Sequence, residues 1–188
     1  MPHTATAEAH PNTKPSIWLG LAVALVLLIF PAQAMAGSGG VDVTGSDAPA
    51  GARAKLVNGL AVAPVGAPQK VVRAINAANQ IVQGKTYCLG GGHQRWKSKC
   101  YDCSGTVSYA LGKPGARVIK AAMPSGDFMS WGERGPGEWI TIYANEGHMY
   151  AVIAGLRLDT SMTDGEGPGW STELRRQAGF RVRHPVGL

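Results

Sequence analysis

Apolar positions change their rhythm along the chain, and each rhythm predicts a different element. From Gln69 to Gln83, Val71, Ile75, Ala78 and Val82 recur at spacings of four and three, with Val72 and Ile81 beside them. That period describes one face of an amphipathic helix, closed by Gly84. A second, shorter helix is expected from Asp102 to Leu111, with Val107, Ala110 and Leu111 apolar and Gly112 and Pro114 ending it. The rhythm then turns to alternation. Glu138 to Ala144 (EWITIYA) reads as a strand, and His148–Ile153 and Leu156–Ser161 read as two more, joined by a tight turn at Ala154 and Gly155. Phe180–His184 adds a last edge strand. Helices followed by antiparallel strands make an α+β domain. Gly37 to Pro68 is rich in Gly, Ala, Pro and Val without sustained period, and reads as a flexible linker or N-terminal arm.

The segment Ile17–Phe30 (IWLGLAVALVLLIF) has 14 residues without a charge. It is too short to span a bilayer core of about 30 Å comfortably, and it suits the apolar region of an export signal. Lys14 precedes it, Pro31 breaks it, and Ala34 and Ala36 offer small residues for cleavage after residue 36. An uncleaved anchor would tether the same domain outside the membrane, the one membrane association expected. The chain therefore divides into a signal (1–36), an arm (37–68) and one domain (69–188), secreted or extracytoplasmic and monomeric.

Gly 26 and Pro 12 among 188 residues imply many turns, and a 16% charged fraction beside 45% hydrophobic excludes a disordered chain. The net charge of +6 is scattered, without the interleaved aromatics of a single-strand nucleic-acid groove. No nucleic-acid partner is expected, and attraction to an anionic cell surface accounts for the sign.

Export permits disulfides, and three cysteines leave at least one thiol unpaired. Cys88 and Cys100 flank the loop of Gly90, Gly91 and Gly92, which can fold back to close them. Pairing of Cys100 with Cys103 as a redox CxxC, or no stable bridge, are the alternatives. Zinc is disfavoured because three cysteines with His93 lack a second closely spaced ligand pair, and no metal or cofactor is expected.

Asp102, Cys103, Ser104 and Gly105 put a thiol in the first turn of the second helix, where amide groups and the helix dipole favour a thiolate. Small neighbours let a carbonyl approach. His148 supplies a base. If Ala154 and Gly155 are the turn, Ile153 pairs with Leu156, and counting back sets Tyr150 opposite Asp159 and His148 opposite Ser161. Asp159 then lies diagonal to His148 and can orient its imidazole, whereas a slip of one residue would put Thr160 there. The plainer reading of each group is structural: a buried helix-start cysteine, and a strand histidine near an acid. Trp131, Trp139 and Trp170 read as core or groove walls.

Tyr87 with the Gly90–Gly92 run, then Tyr101 to Val107 (YDCSGTV), then Gly147, His148 and an apolar strand, resemble in order the signatures of the NlpC family. These are papain-like cysteine peptidases that act as bacterial cell-wall hydrolases. The resemblance covers roughly Val71 to Ser161. It implies a papain-like fold, with Cys103 as nucleophile, His148 as base and then acid, and Tyr87 lining the site. It also implies a peptidoglycan peptide as substrate, cut at an amide joining D-glutamate and a diamino acid. Asp102, Ser104 and His93 join Tyr87 as substrate-binding candidates, His93 having also a plain reading as a loop residue. Such proteins usually carry His, Asn or Gln as the third polar residue, where this chain offers Asp159, and Cys88 and Cys100 are additions to the pattern. A non-catalytic surface-binding module of the same fold, or an amidase or acyltransferase, are the other classes compatible with these residues.

Overall fold

The computed structural model describes residues 53–161 and 167–188. The segment read as an export signal and the first part of that read as an arm lie outside the described residues. Two strands come first, β1 (Lys55–Val57) and β2 (Leu60–Val62), paired antiparallel. Their turn, Asn58 and Gly59, has φ of 51° and 77°, the left-handed conformation that two-residue hairpins require and that Asn-Gly favours. The hairpin is tied to the domain. The Ala54 amide donates to the Ala154 carbonyl at 2.8 Å, and the Asn79 side chain bonds both the amide and the carbonyl of Ala61. Residues 53–62 of the segment read as a flexible arm are thus a docked hairpin, whose period is too short to register as alternation.

Helix α1 (Gln69–Asn79) buries Val71, Ala74, Ile75 and Ala78. It ends four residues before the expected Gln83 because its last turn tightens, with the Gln80 amide on Ala77 and the Ile81 amide on Ala78. Gly84 follows at φ 75°. Strands β3 (Thr86–Tyr87) and β4 (Cys100–Tyr101) pair in parallel and frame the glycine loop. Helix α2 (Cys103–Leu111) is buried along its whole length and packs against α1 and the sheet. A single turn, α3 (Ser125–Phe128), precedes the last strands. These are β5 (Glu133–Arg134), β6 (Ile140–Ala144), β7 (Met149–Ile153), β8 (Leu156–Asp159), β9 (Gly169–Ser171) and β10 (Arg181–His184).

The six form one sheet in the order β5-β10-β6-β7-β8-β9, antiparallel throughout. The fold is α+β, with its helices packed on this sheet. Ile140, Ile142, Met149, Ala151, Ile153 and Leu158 join the helices in the main core. On the opposite face Tyr143 and Tyr150 stack at 4.7 Å, and Leu174, Phe180 and Val182 cover them. Burial on both faces leaves all five residues of β6 inside, Thr141 included. Strand β10 is not an edge: it lies between β5 and β6, because the two residues of β5, too few to show a period, return to pair outside it. The β7–β8 turn has Ala154 and Gly155 at φ 46° and 78°, and Ile153 faces Leu156.

Cys88 and Cys100 are bridged, with Cα atoms 5.6 Å apart, across a separation of 12 residues. Closing a loop of that size restricts the unfolded chain. Reduction, or a Cys88→Ser, Cys100→Ser double variant, is expected to lower stability by about 3 kcal/mol in denaturant titration.

Candidate active site

Asp102 caps α2, and through it the glycine loop is bound to the helix start. Its Oδ1 accepts from the Gly105 amide at 2.6 Å and the Ser104 hydroxyl at 3.2 Å, and lies 3.0 Å from His93 Nε2. Its Oδ2 accepts from the Gly90 amide at 2.9 Å. The Gly91 carbonyl in turn accepts from the Asp102 amide at 3.2 Å, so loop and helix are joined in both directions. Gly105 has to be glycine here, since a Cβ would strike the Gly91 carbonyl. Asp102 and Ser104 are both buried and bonded internally, which makes their contribution positional. His93 Nε2 also lies 3.1 Å from the Ser104 hydroxyl, so it belongs to the same group rather than to the open loop.

Capping leaves the Cys103 and Ser104 amides as the uncapped donors of the first turn, since Gly105 is on the Asp102 side chain and Thr106 on its carbonyl. Cys103 is the free thiol and sits at the edge of the core, 9% exposed. Tyr87 stands beside it, 42% exposed. Partial burial, then the neighbouring Cys103 and Asp102, hold the Tyr87 phenol above its usual range.

His148 arrives from the sheet. It precedes β7 in a turn set by Asn145, whose Oδ1 accepts from the Gly147 and His148 amides at 3.0 and 2.8 Å. The His148 Nε2 lies 2.9 Å from Asp159 Oδ1, and the Cys103 side chain is near enough to favour the charged imidazole. One ring therefore stands between the thiol of α2 and the acid of β8.

Asp159 is fully buried and heavily bonded. Its Oδ1 also accepts from the Thr160 and Ser161 amides at 2.7 and 3.0 Å. Its Oδ2 accepts from Arg175 Nη1 at 3.1 Å and lies 3.7 Å from Arg157 Nε. Arg175 also spreads over the Tyr150 ring, 5.8 Å from its centroid. Burial alone would raise the Asp159 carboxyl, but hydrogen bonds from His148, Ser161 and Arg175 outweigh it and bring it down to about 2. Burial likewise works against a charged His148. The bonds to Asp159 and Cys103 outweigh it and carry the imidazole up to about 9.

The structure thus brings Cys103, His148 and Asp159 together, with Tyr87 alongside, and gathers Asp102, Ser104 and His93 into the scaffold behind them. Asn145 and Arg175 were not among the sequence candidates. Asn-x-Gly-His is a local turn signal that exposes the first. The second reaches its partner across 16 positions and leaves no local mark. Among the described residues no three His, Cys, Asp or Glu side chains converge as a metal site.

Neither a family model nor a curated protein matches the chain. Among solved structures it is similar to the P60 domain of an antigen from M. avium subspecies paratuberculosis. Identity is 19% and the TM-score 0.44, over 61% of this chain and 94% of that one. The side chains, not that likeness, carry the chemistry.

The His148 titration is open to measurement. A group raised from 6.5 to about 9 stabilises the fold fully below pH 6.5 and loses that contribution as pH rises through about 9. NMR of the imidazole is expected to report a midpoint near 9, falling part of the way toward 6.5 in Cys103→Ala and further in Asp159→Asn. A wild-type midpoint near 6.5 would mean that Asp159 and His148 do not form an ion pair.

Proposed function

We propose that this protein is an exported, papain-like cysteine hydrolase of the NlpC kind, cleaving an amide bond in peptidoglycan stem peptides. The observation that carries the reading is the single imidazole of His148 held between the free Cys103 thiol and the buried Asp159. A nucleophile, a proton carrier and an orienting acid in that sequence are what acyl transfer through a thioester requires.

In the proposed reaction the Cys103 thiolate attacks the scissile carbonyl, and the sulfur–carbon bond forms as the carbonyl becomes an oxyanion. The Cys103 and Ser104 amides stand at the helix start to receive that charge. The imidazolium of His148 gives its proton to the leaving nitrogen as the amide breaks, which leaves a thioester and a neutral ring. Neutral His148 then takes a proton from water, whose oxygen displaces the sulfur and restores the pair. Asp159 keeps the ring oriented throughout without itself taking the proton. The D-glutamyl–diamino acid amide is the bond proposed, and the extracytoplasmic wall is where it is met.

Incubation of the full chain with synthetic stem peptides, read by mass spectrometry, tests the substrate. The expected products are two fragments whose masses sum to that of the parent plus one water, divided at the D-glutamyl carbonyl. Intact stem peptides, alongside turnover of an unrelated amide, would contradict the assignment.

A further inference from the structure

Three arginines at one end of the sheet have no role in the reaction above. Arg134 on β5 stands directly opposite Arg183 on β10, and Arg181 lies two residues along β10 on the same face. Like charges on directly opposed positions work against strand pairing. Among the described residues no carboxylate lies within ion-pair distance of any of the three. Glu133, the nearest acid along the chain, is engaged by His184 at 3.1 Å. Arg183 is held in place, its Nε donating to the Met129 carbonyl at 2.7 Å.

The three side chains line one groove of about 510 Å³, together with Met129, Phe180 and Val182. A neighbouring groove of about the same volume shares Met129, Phe180 and Arg181 with it. This second groove reaches Asn145, Glu146 and Gly147, the turn that presents His148. The two grooves together run from the arginines to the turn that precedes His148. Glu146, exposed at the far end, is the acid that faces it.

The geometry points to this groove as a docking site for a phosphate-bearing polyanion. Guanidinium groups are planar forks that hold oxyanions through paired N–H donors. Two forks from opposed strands line one groove. A tetrahedral phosphate offers oxygens outside a single plane, which suits two forks that are not coplanar better than a planar carboxylate does. Arg181 then takes the next charge along the polymer, since residues two apart on a strand are about 7 Å apart. The bound anion supplies the negative charge that the Arg134 and Arg183 pairing lacks, and in the wall it would keep the hydrolase on its substrate.

The test uses the full chain and an Arg134→Ala, Arg181→Ala double variant. Both side chains are exposed and make no described hydrogen bond, so the fold is retained. Binding of fluorescent short-chain polyphosphate, and of poly-glutamate of matched charge, is measured by anisotropy at low and high salt. The expected result is tighter binding of polyphosphate, weakened by added salt and at least tenfold by the double variant, with kcat/KM for a short stem peptide unchanged. Equal binding by the variant, binding of neither polymer, or poly-glutamate binding as tightly as polyphosphate would overturn the inference. The binding measurement does not depend on the hydrolase reading: failure of wild type to cleave the short peptide would sink that reading and leave the binding result to stand or fall alone.

Discussion

Replacing Cys103 by Ala is expected to lower kcat/KM for stem-peptide hydrolysis by about 10⁴-fold or more, the loss seen when a covalent catalyst loses its nucleophile. The thermal midpoint should move only slightly, because the thiol lies at the edge of the core and alanine keeps the helix start intact. A His148→Ala variant should lose a comparable factor, and the Cys103, His148 double variant little more than either single one, since the two act as a unit. Additive losses would mean that the two residues work independently, against the bridge that the imidazole makes between Cys103 and Asp159.

Asp159→Asn is expected to have the second largest effect, about 10² to 10⁴-fold on kcat. The amide oxygen can keep the Oδ1 bonds to Thr160, Ser161 and His148, but its NH₂ must then face the Arg175 guanidinium, a donor against a donor. Turning the amide over relieves Arg175 and presents a donor to the imidazolium instead. In either orientation the charge that holds the ring protonated is gone, so the alkaline limb of the pH profile should move from about 9 toward 6.5. The acid side behaves oppositely. A carboxyl lowered from 3.8 to about 2 stabilises the fold above pH 3.8 and loses that contribution as pH falls through about 2. The ion pair is thus formed between about pH 2 and about pH 9. Asp159→Ala should cost about 2 to 3 kcal/mol in denaturant titration, below the range for fully buried pairs, because Arg175 is 32% exposed and water compensates it in part. An unchanged pH profile in Asp159→Asn would take Asp159 out of the proton chemistry.

Much of the site was legible because its signals are local. Asp-Cys-Ser-Gly marks a capped helix start with a thiol in its first turn, and the cap bond from Gly105 to Asp102 is the physical content of that spacing. Ala154 and Gly155 set the β7–β8 register, and the register alone puts Asp159 within reach of His148. The Asn58–Gly59 hairpin was equally local, yet its strands of three residues sit in a run without period. What the sequence does not show is long-range. The two residues of β5 and three of β9 carry no pattern, and the return of β10 to the inside of the sheet depends on β5 pairing beyond it. Arg175 finds Asp159 and Tyr150 only once the segment after β9 folds back over the sheet.

The most direct measurement is digestion of purified peptidoglycan by the full chain, beside its Cys103→Ala variant, with soluble fragments read by mass spectrometry. Wild type is expected to release stem-peptide fragments cut at one amide, and the variant none above background. Equal release by the two proteins, or none by a folded wild type with Cys103 reduced, would contradict the proposed hydrolysis.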